Sequence, residues 1–467
     1  MSFSQILSCF AYRLRWIAVT PVIVAVAACS QVPIYERPDV PTLPVWSTRP
    51  SAARVEVDGS WWREFRCAEL SSLEIAALGE NFDLESAIAR IQQARSAATI
   101  ALAPLLPSID LNGTLDRSTG FSTKSTQDVL AIASYEVDFW GKNRARADAA
   151  GSLVDAAASD ADTVAITLAA TVANTYFQIL SLRERIDQAS RIAQDARRIL
   201  SLVELQKSGG TAAELLVQQQ RNAAATFAAA VPVLQLQLDE SEHLLAVLVG
   251  APPGSLRVSA RGLGKIVPPS PRSGLPSSLL ERRPDIRAAE ARLIAANFNI
   301  GAARAAFLPS LTLNGSDGLS ALSLSKTSPT TLITDAAAGL VQPIFDGGRL
   351  QGQLAFDQAR AAELAATYRQ VALNSFQDVE DSLSAQRRIK TLAASNLEAV
   401  TSARRAQALA EEQYKLGGSD YLTVLNTQRT LFQAEDSYLQ VRLQRLQAAV
   451  SLFRSLGGGF ADAPGAI

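Results

Sequence analysis

The stretch LPSIDLNG, Leu106 to Gly113, returns 202 residues later as LPSLTLNG, Leu308 to Gly315, with six of eight letters unchanged. In the first copy Ile109, Leu111 and Leu115 are apolar, while Ser108, Asp110, Asn112, Thr114 and Asp116 are polar. A period of two is the signature of a strand with one wet face. A polar loop, STGFSTKST, follows, and a return strand carries Val129, Ala131, Ala133, Tyr135, Val137 and Phe139 on one face. The second copy has Leu311 and Leu313, a Ser-rich loop, and a return strand around 331–341 that alternates less cleanly. The two hairpins span about 107–139 and about 309–343. Their strands, about ten residues each, have the length a tilted membrane-spanning strand needs.

The match extends on both sides of the hairpins, as expected of a duplicated unit. Ala87, Ala89, Arg90 and Ala94 fall on Ala289, Ala291, Arg292 and Ala296 at the same offset. Downstream the offset drifts. Phe139-Trp140-Gly141 meets Phe345-Asp346-Gly347, and Lys207-Ser208-Gly209-Gly210 meets Lys415-Leu416-Gly417-Gly418 at an offset of 208. At that same offset Gln220-Arg221 meets Gln428-Arg429, and Leu248-Val249-Gly250 meets Leu456-Gly457-Gly458.

Each unit reads helix, hairpin, long helix, helix. The first helices cover 81–103 and 284–306. Pro284 suits a first turn, where its missing N–H costs nothing, and Pro104 and Pro309 lie at the ends. From Ser152 to Ser208 and from Gln353 to Leu416 there is no Gly or Pro. Those segments are rich in strong helix formers, and Val172, Tyr176, Ile179, Leu182 and Ile186 step by three or four. Extended to the flanking glycines, each long helix has about 65–70 residues and a length of roughly 100 Å. The last helices cover 211–249 and 419–456, with Pro232 expected to kink the first. The two shorter helices of a unit, end to end, span about 95 Å. They can therefore stack into one rod that matches the long helix.

The domain reading is a leader over 1–28, a Pro-rich segment over 29–60 and a first repeat over 61–250. A linker over 251–283, a second repeat over 284–458 and a tail over 459–467 follow. Four strands cannot close on themselves, and an open edge in lipid leaves backbone groups unpaired at several kcal/mol each. Closure therefore needs partner chains. Two chains give about eight strands, whose interior is filled by side chains. Three give twelve strands with a lumen, continued by twelve helical rods as a tube. The expected fold is mainly α with a transmembrane β part.

Composition removes other classes. Net charge is -1 and the pI about 6.1, so there is no basic footprint for nucleic acid. Three cysteines without C-x-x-C spacing give no metal motif, and no cofactor is expected. The lone His243 sits in SEHLLAVL with no nucleophile pattern nearby, and Asp346-Gly347-Gly348 lacks the GKS/T ending of a phosphate loop. The chain does not read as an enzyme. At the N-terminus, Arg13 and Arg15 precede the apolar run WIAVTPVIVAVAAC, too short for a comfortable membrane helix. Val26-Ala27-Ala28-Cys29 resembles the lipobox of bacterial lipoproteins, in which the Cys becomes the acylated N-terminus. Ser30, not Asp, follows, which by that resemblance permits sorting to the outer membrane. Cleavage before Cys29 removes two bases and no acid, taking the charge to -3. Cys9 leaves with the leader and Cys67 stays a free thiol, so no intrachain disulfide is expected.

Several stretches together resemble the TolC family of outer-membrane channels, in its lipoprotein branch serving multidrug efflux. They are the lipobox, VPIYERPDVP, WWREF with LSSLEIAALGEN, ERRPDIRAAEARLIAAN with GAARAAFLPSLTL, QPIFDGGRL, YKLGGSDYLTVLNTQRTLFQAE and LFRSLGGG. The resemblance implies a trimeric 12-stranded β-barrel in the outer membrane on a long α-helical periplasmic tunnel. It implies a homotrimer working with a periplasmic adaptor and an inner-membrane efflux transporter, and conduction without catalysis. It also implies a periplasmic gate near the family motif YLTVLDAQR, where a Leu and an Asp face the axis. The matching positions are Leu422 and Asn426, so an amide replaces the acid. Three Asn would form a neutral hydrogen-bonding ring with weaker cation preference; the alternative is an interhelical contact of Asn426. The turns bearing Gly209, Gly210, Gly417 and Gly418 are the expected adaptor-docking tips, and are helix caps in any case. Cys67 stands where the family has an acidic residue, and Pro33-Ile34 where it has Gly-Pro; Cys67 reads as a packed thiol. Metal-ion export or type I protein secretion by the same channel type remains an alternative. So does a lipid-anchored coiled-coil scaffold, which explains neither the hairpins nor the duplication.

Overall fold

The computed structural model describes residues 30–42, 45–47, 59–118, 124–264, 266–269, 276–321 and 330–459. The leader, Cys29 and the tail from 460 lie outside the described residues. The first repeat comprises α1 (Ala68–Glu80), α2 (Phe82–Leu102), β1 (Ser108–Ser118), β2 (Lys124–Val137), α3 (Lys142–Ser208) and α4 (Glu214–Leu248). The second comprises α5 (Pro284–Ala305), β3 (Ser310–Ala321), β4 (Thr330–Val341), α6 (Arg349–Lys415) and α7 (Tyr421–Ser455). The long helices α3 and α6 have 67 residues each, and α4 and α7 have 35 each. α4 remains one helix through Pro232.

Two details depart from the sequence reading. The helix α1 precedes α2 as a separate element, because Asn81 breaks the run with an extended backbone. The Asn81 side chain caps α2 by accepting from Asp83 N and Leu84 N at 2.9 and 3.1 Å. Its amide donates to Leu248 O at 3.0 Å, tying α2 to the end of α4. The second departure is the offset between repeats, which is 207 from the long helices onward rather than 208: α3 and α6, and α4 and α7, start and stop 207 residues apart. Gly210 therefore corresponds to Gly417, and Gly250 to Gly457. All four have positive φ, which the sequence letters alone do not reveal.

The chain folds into two compact units. One holds the described residues up to Asp39 and those within Ala89–Ser159 and Ile286–Val371. In it β1, β2, β3 and β4 form one antiparallel sheet in chain order. Asp138 starts α3 by accepting from Asn143 N and Arg144 N at 3.0 and 2.7 Å, and Asp346 does the same for α6 through Gly348 N and Leu350 N. Trp140 Nε1 donates to Pro309 O at 2.8 Å, joining the two repeats at the foot of the sheet. The N-terminal segment lies along α5. Arg37 clasps Glu290 with two bonds of 2.7 and 2.8 Å, Asn297 donates to Pro33 O at 2.7 Å, and a side chain at Gly301 would collide with Val32. The segment therefore runs antiparallel to α5.

The other unit holds Val40–Ile88, Asp160–Asp285 and the chain from Ala372. Its core is aromatic. Trp61 stacks on Phe453 at 5.2 Å and Phe65 meets Phe177 at 5.0 Å. Leu70, Leu73 and Ala77 of α1 bury against this cluster at helical spacing. The half-buried Cys67 sits 3.2 Å from the Tyr176 hydroxyl, which donates to Glu69 at 2.9 Å. Ion pairs bind α3 to its neighbours: Arg183 to Glu242, Arg185 to Asp436 and Glu184 to Arg442. Arg283, only 11% exposed, is held between Asp285 and Asp378 and donates to Ser455 O.

Candidate functional site: an exposed apolar sheet and two glycine-capped hairpins

The register of the sheet decides which side chains share a face. Ile109 and Leu111 pair with Ala133 and Ala131, and Val129 with Leu319. Tyr135 and Val137 pair with Leu313 and Leu311, which in turn face Ala338 and Leu340. One mainly apolar face thus runs across all four strands. Many of its members are exposed: Leu111 is 78% accessible, Leu115 80% and Leu340 71%. The other face is mainly polar and laced with side-chain bonds, such as Ser134 to Asn314 at 2.8 Å and Ser320 to Asp128. Such a contiguous apolar surface is too large for contact with water alone. The weak alternation of β4 is resolved by this pairing: Leu332, Ala336, Ala338 and Leu340 align with the apolar face and Asp335 with the polar one. Thr334 and Asp317, bonded to each other at 2.8 Å, are polar intruders on the apolar side.

In the other unit the turns at the ends of α3 and α6 share one geometry. Thr211 N donates to Gln206 O and Gly210 N to Lys207 O, both at 2.9 Å. Gly418 N donates to Gln413 O at 2.9 Å and Gly417 N to Tyr414 O at 3.1 Å. Each is a Schellman closure with its glycine in the left-handed region, Gly210 at φ 76 and Gly417 at φ 75. Gly209 and Gly418 carry no such constraint. Past the second turn, Asp420 caps α7 by accepting from Thr423 Oγ1 and N, which hold its carboxyl below the usual range. A Lys207–Glu214 ion pair bridges the first turn. The hairpins are pinned by a buried relay: Tyr421 OH donates to Gln220 Oε1 at 2.6 Å, and Gln220 Nε2 to Ala196 O at 2.7 Å.

Leu422 and Asn426 lie on α7 beside these turns, 49% accessible and exposed respectively. Together with Leu215 and Phe227 of α4 they line a cleft of about 650 Å³ between α4 and α7. The Asn426 backbone carbonyl accepts from Thr430, while its carboxamide finds no partner among the described residues. No interhelical hydrogen bond of Asn426 is formed among the described residues. A second cleft of about 750 Å³ opens between α3, α6 and α7, lined by Arg198, Leu202, Glu411, Tyr414, Lys415 and Gln428. The sequence offered no signal for this cleft, whose walls come from helices more than 200 residues apart. His243 is exposed on α4.

A duplicated helical protein with an exposed apolar sheet has the features of a membrane transport channel. The outer membrane efflux protein family model matches residues 75–251 and 275–458, nearly the two repeats, and the chain belongs to that family. It is a family of outer-membrane transport channels, not of enzymes. The chain is 37% identical over 472 residues to the pyoverdine export outer membrane protein OpmQ of Pseudomonas putida, covering 96% of this chain and 99% of that one. It is 40% identical over 416 residues to the protein of the same name from Pseudomonas aeruginosa, covering 86% and 87%. Among solved structures, the outer-membrane channel OprN superposes with a TM-score of 0.86 at 26% identity, over 93% of this chain and all of that one. The chain is thus an outer-membrane exit duct for efflux.

Proposed function

We propose that three copies close their sheets into one 12-stranded barrel, continued by the long helices as a periplasmic tunnel. The observation that carries this reading is the mainly apolar face of a four-stranded sheet whose edge strands are β1 and β4. Open edges in lipid cost several kcal/mol per unpaired group, and copies of the same chain remove them. Acylation of Cys29 anchors the assembly. The antiparallel run of the N-terminal segment along α5 supports this, because it directs Ser30 toward the end of α5 from which β3 departs. Leu422 and Asn426 form the periplasmic gate, and the unpartnered carboxamide of Asn426 is available to face its two symmetry mates.

The turns at Gly209, Gly210, Gly417 and Gly418 dock a periplasmic adaptor, which couples the duct to an inner-membrane transporter. The cleft beside them, with its mix of apolar wall and both charge signs, suits a helical hairpin tip. The duct conducts small solutes passively, drugs among them. Pyoverdine, named in both relatives, heads the panel of solutes to be tried. Deletion of the gene, with complementation, should raise susceptibility or cause cargo to be retained for at least one member of a panel of drugs, detergents and siderophores. Unchanged export across such a panel, with the protein present in the parent outer membrane, would count against the reading.

A further inference from the structure

At the junction of α6, α7 and the linker between repeats lies a small cavity of about 190 Å³, lined by Pro268, Pro269, Arg387, Lys390, Arg445 and Ala448. Arg387 and Lys390 are three apart on α6, so they project from one face. Arg445 reaches the same space from α7. No carboxylate lines it among the described residues. The three cations are exposed, and none takes part in an ion pair among the described residues. Elsewhere in this unit the converse holds for Arg183, Arg185, Arg283 and Arg442, each with a carboxylate oxygen within 3.1 Å. Arg442 lies one turn from Arg445 and is already committed to Glu184 at 2.9 Å. Like charges gathered around one space repel, and an anion seated among them removes that cost. The prolines give the cavity a stiff wall. Its volume is below that of a drug-sized pocket and fits a single oxyanion group. Guanidinium groups bind carboxylate and phosphate through paired N–H donors.

We propose that this cavity is a binding site for a polyvalent oxyanion, phosphate or carboxylate in kind. It is separate from the glycine turns, since Lys390 and Lys415 are about 37 Å apart along α6 at the helical rise. It therefore stands whether or not the adaptor docks at those turns.

The test is calorimetric titration of the full-length protein, in neutral detergent and phosphate-free buffer at low salt, with inorganic pyrophosphate and separately with citrate. Saturable binding of either probe at one site per chain is expected, and the probe that binds names the class. Arg387→Gln/Lys390→Gln/Arg445→Gln should weaken it by at least about tenfold, since charge-assisted hydrogen bonds to the anion are lost. The single change Lys390→Gln, at an exposed position, should weaken it severalfold without touching the fold. A control with the same loss of charge, Arg191→Gln/Arg197→Gln/Arg405→Gln, should keep the parent affinity. Failure of both probes to bind the parent overturns the site. So does an equal loss in the control, which would mean that general charge and not this cavity holds the anion.

Discussion

At the scale of single residues, Glu74 is the group whose chemistry is most at odds with its place. Its side chain is fully buried on α1, both oxygens lack partners among the described residues, and burial pushes the carboxyl well above the ordinary range. Its neighbour Ile75 is 60% exposed, so polar and apolar residues stand in each other's seats. A carboxyl raised in the folded state favours folding below its unfolded value of about 4.3 and loses that benefit as pH climbs toward the folded value. Glu74→Leu should therefore stabilise the protein at neutral pH by about 1–3 kcal/mol, the cost of an unsatisfied buried polar group. The gain should shrink at acid pH. Thermal unfolding of parent and variant at pH 4 and pH 7 measures it; equal gains at both would mean that ionisation is not involved. In the proposed gate, Asn426 is the residue that would set the charge. Asn426→Asp would gather three carboxylates at one axis, and half-block of conductance should then occur at about tenfold lower calcium, a difference of about 1.4 kcal/mol. Identical block in parent and variant would remove Asn426 from the axis.

At the scale of elements, the four turn glycines divide into two kinds. Gly210 and Gly417 hold a left-handed backbone that costs other residues about 1–2 kcal/mol, so Gly210→Val or Gly417→Val should loosen the turn. Gly209→Ala and Gly418→Ala should leave it intact, because the added carbon meets nothing closer than 3.6 Å. Amide hydrogen exchange at Thr211 and Gly418 reads this difference directly. The sheet gives a parallel contrast. Leu111→Arg places a charge on the apolar face and should cost about 2–4 kcal/mol of membrane stability, whereas Asn112→Arg on the opposite face should be tolerated. Recovery of each variant from the outer-membrane fraction tests it. Both hairpins and the long helices were legible in the letters, because periods of two and of 3.6 and the Gly stops need no tertiary information. The repeat offset at the turns was not, since KSGG and KLGG align as letters one residue away from the equivalence of their backbone angles. Nor was α1, whose separation from α2 depends on one Asn side chain reaching Leu248. The residues proposed for the gate were singled out only through a family motif. The clefts beside them need helices that no local pattern joins.

At the scale of the whole molecule, the proposed assembly is one in which a chain is incomplete alone. The sheet has two edge strands, β1 and β4, and an exposed apolar face, and the two long helices have equal lengths of 67 residues. Closure by three copies, as proposed, would pair the edge groups and turn the apolar face to lipid. The most direct measurement is the mass and conductance of the detergent-purified, full-length protein. Native mass spectrometry should give three chains per particle, and planar bilayers should show a discrete water-filled pore. A monodisperse single-chain particle, stable without detergent and silent in bilayers, would contradict the assembly on which the rest depends.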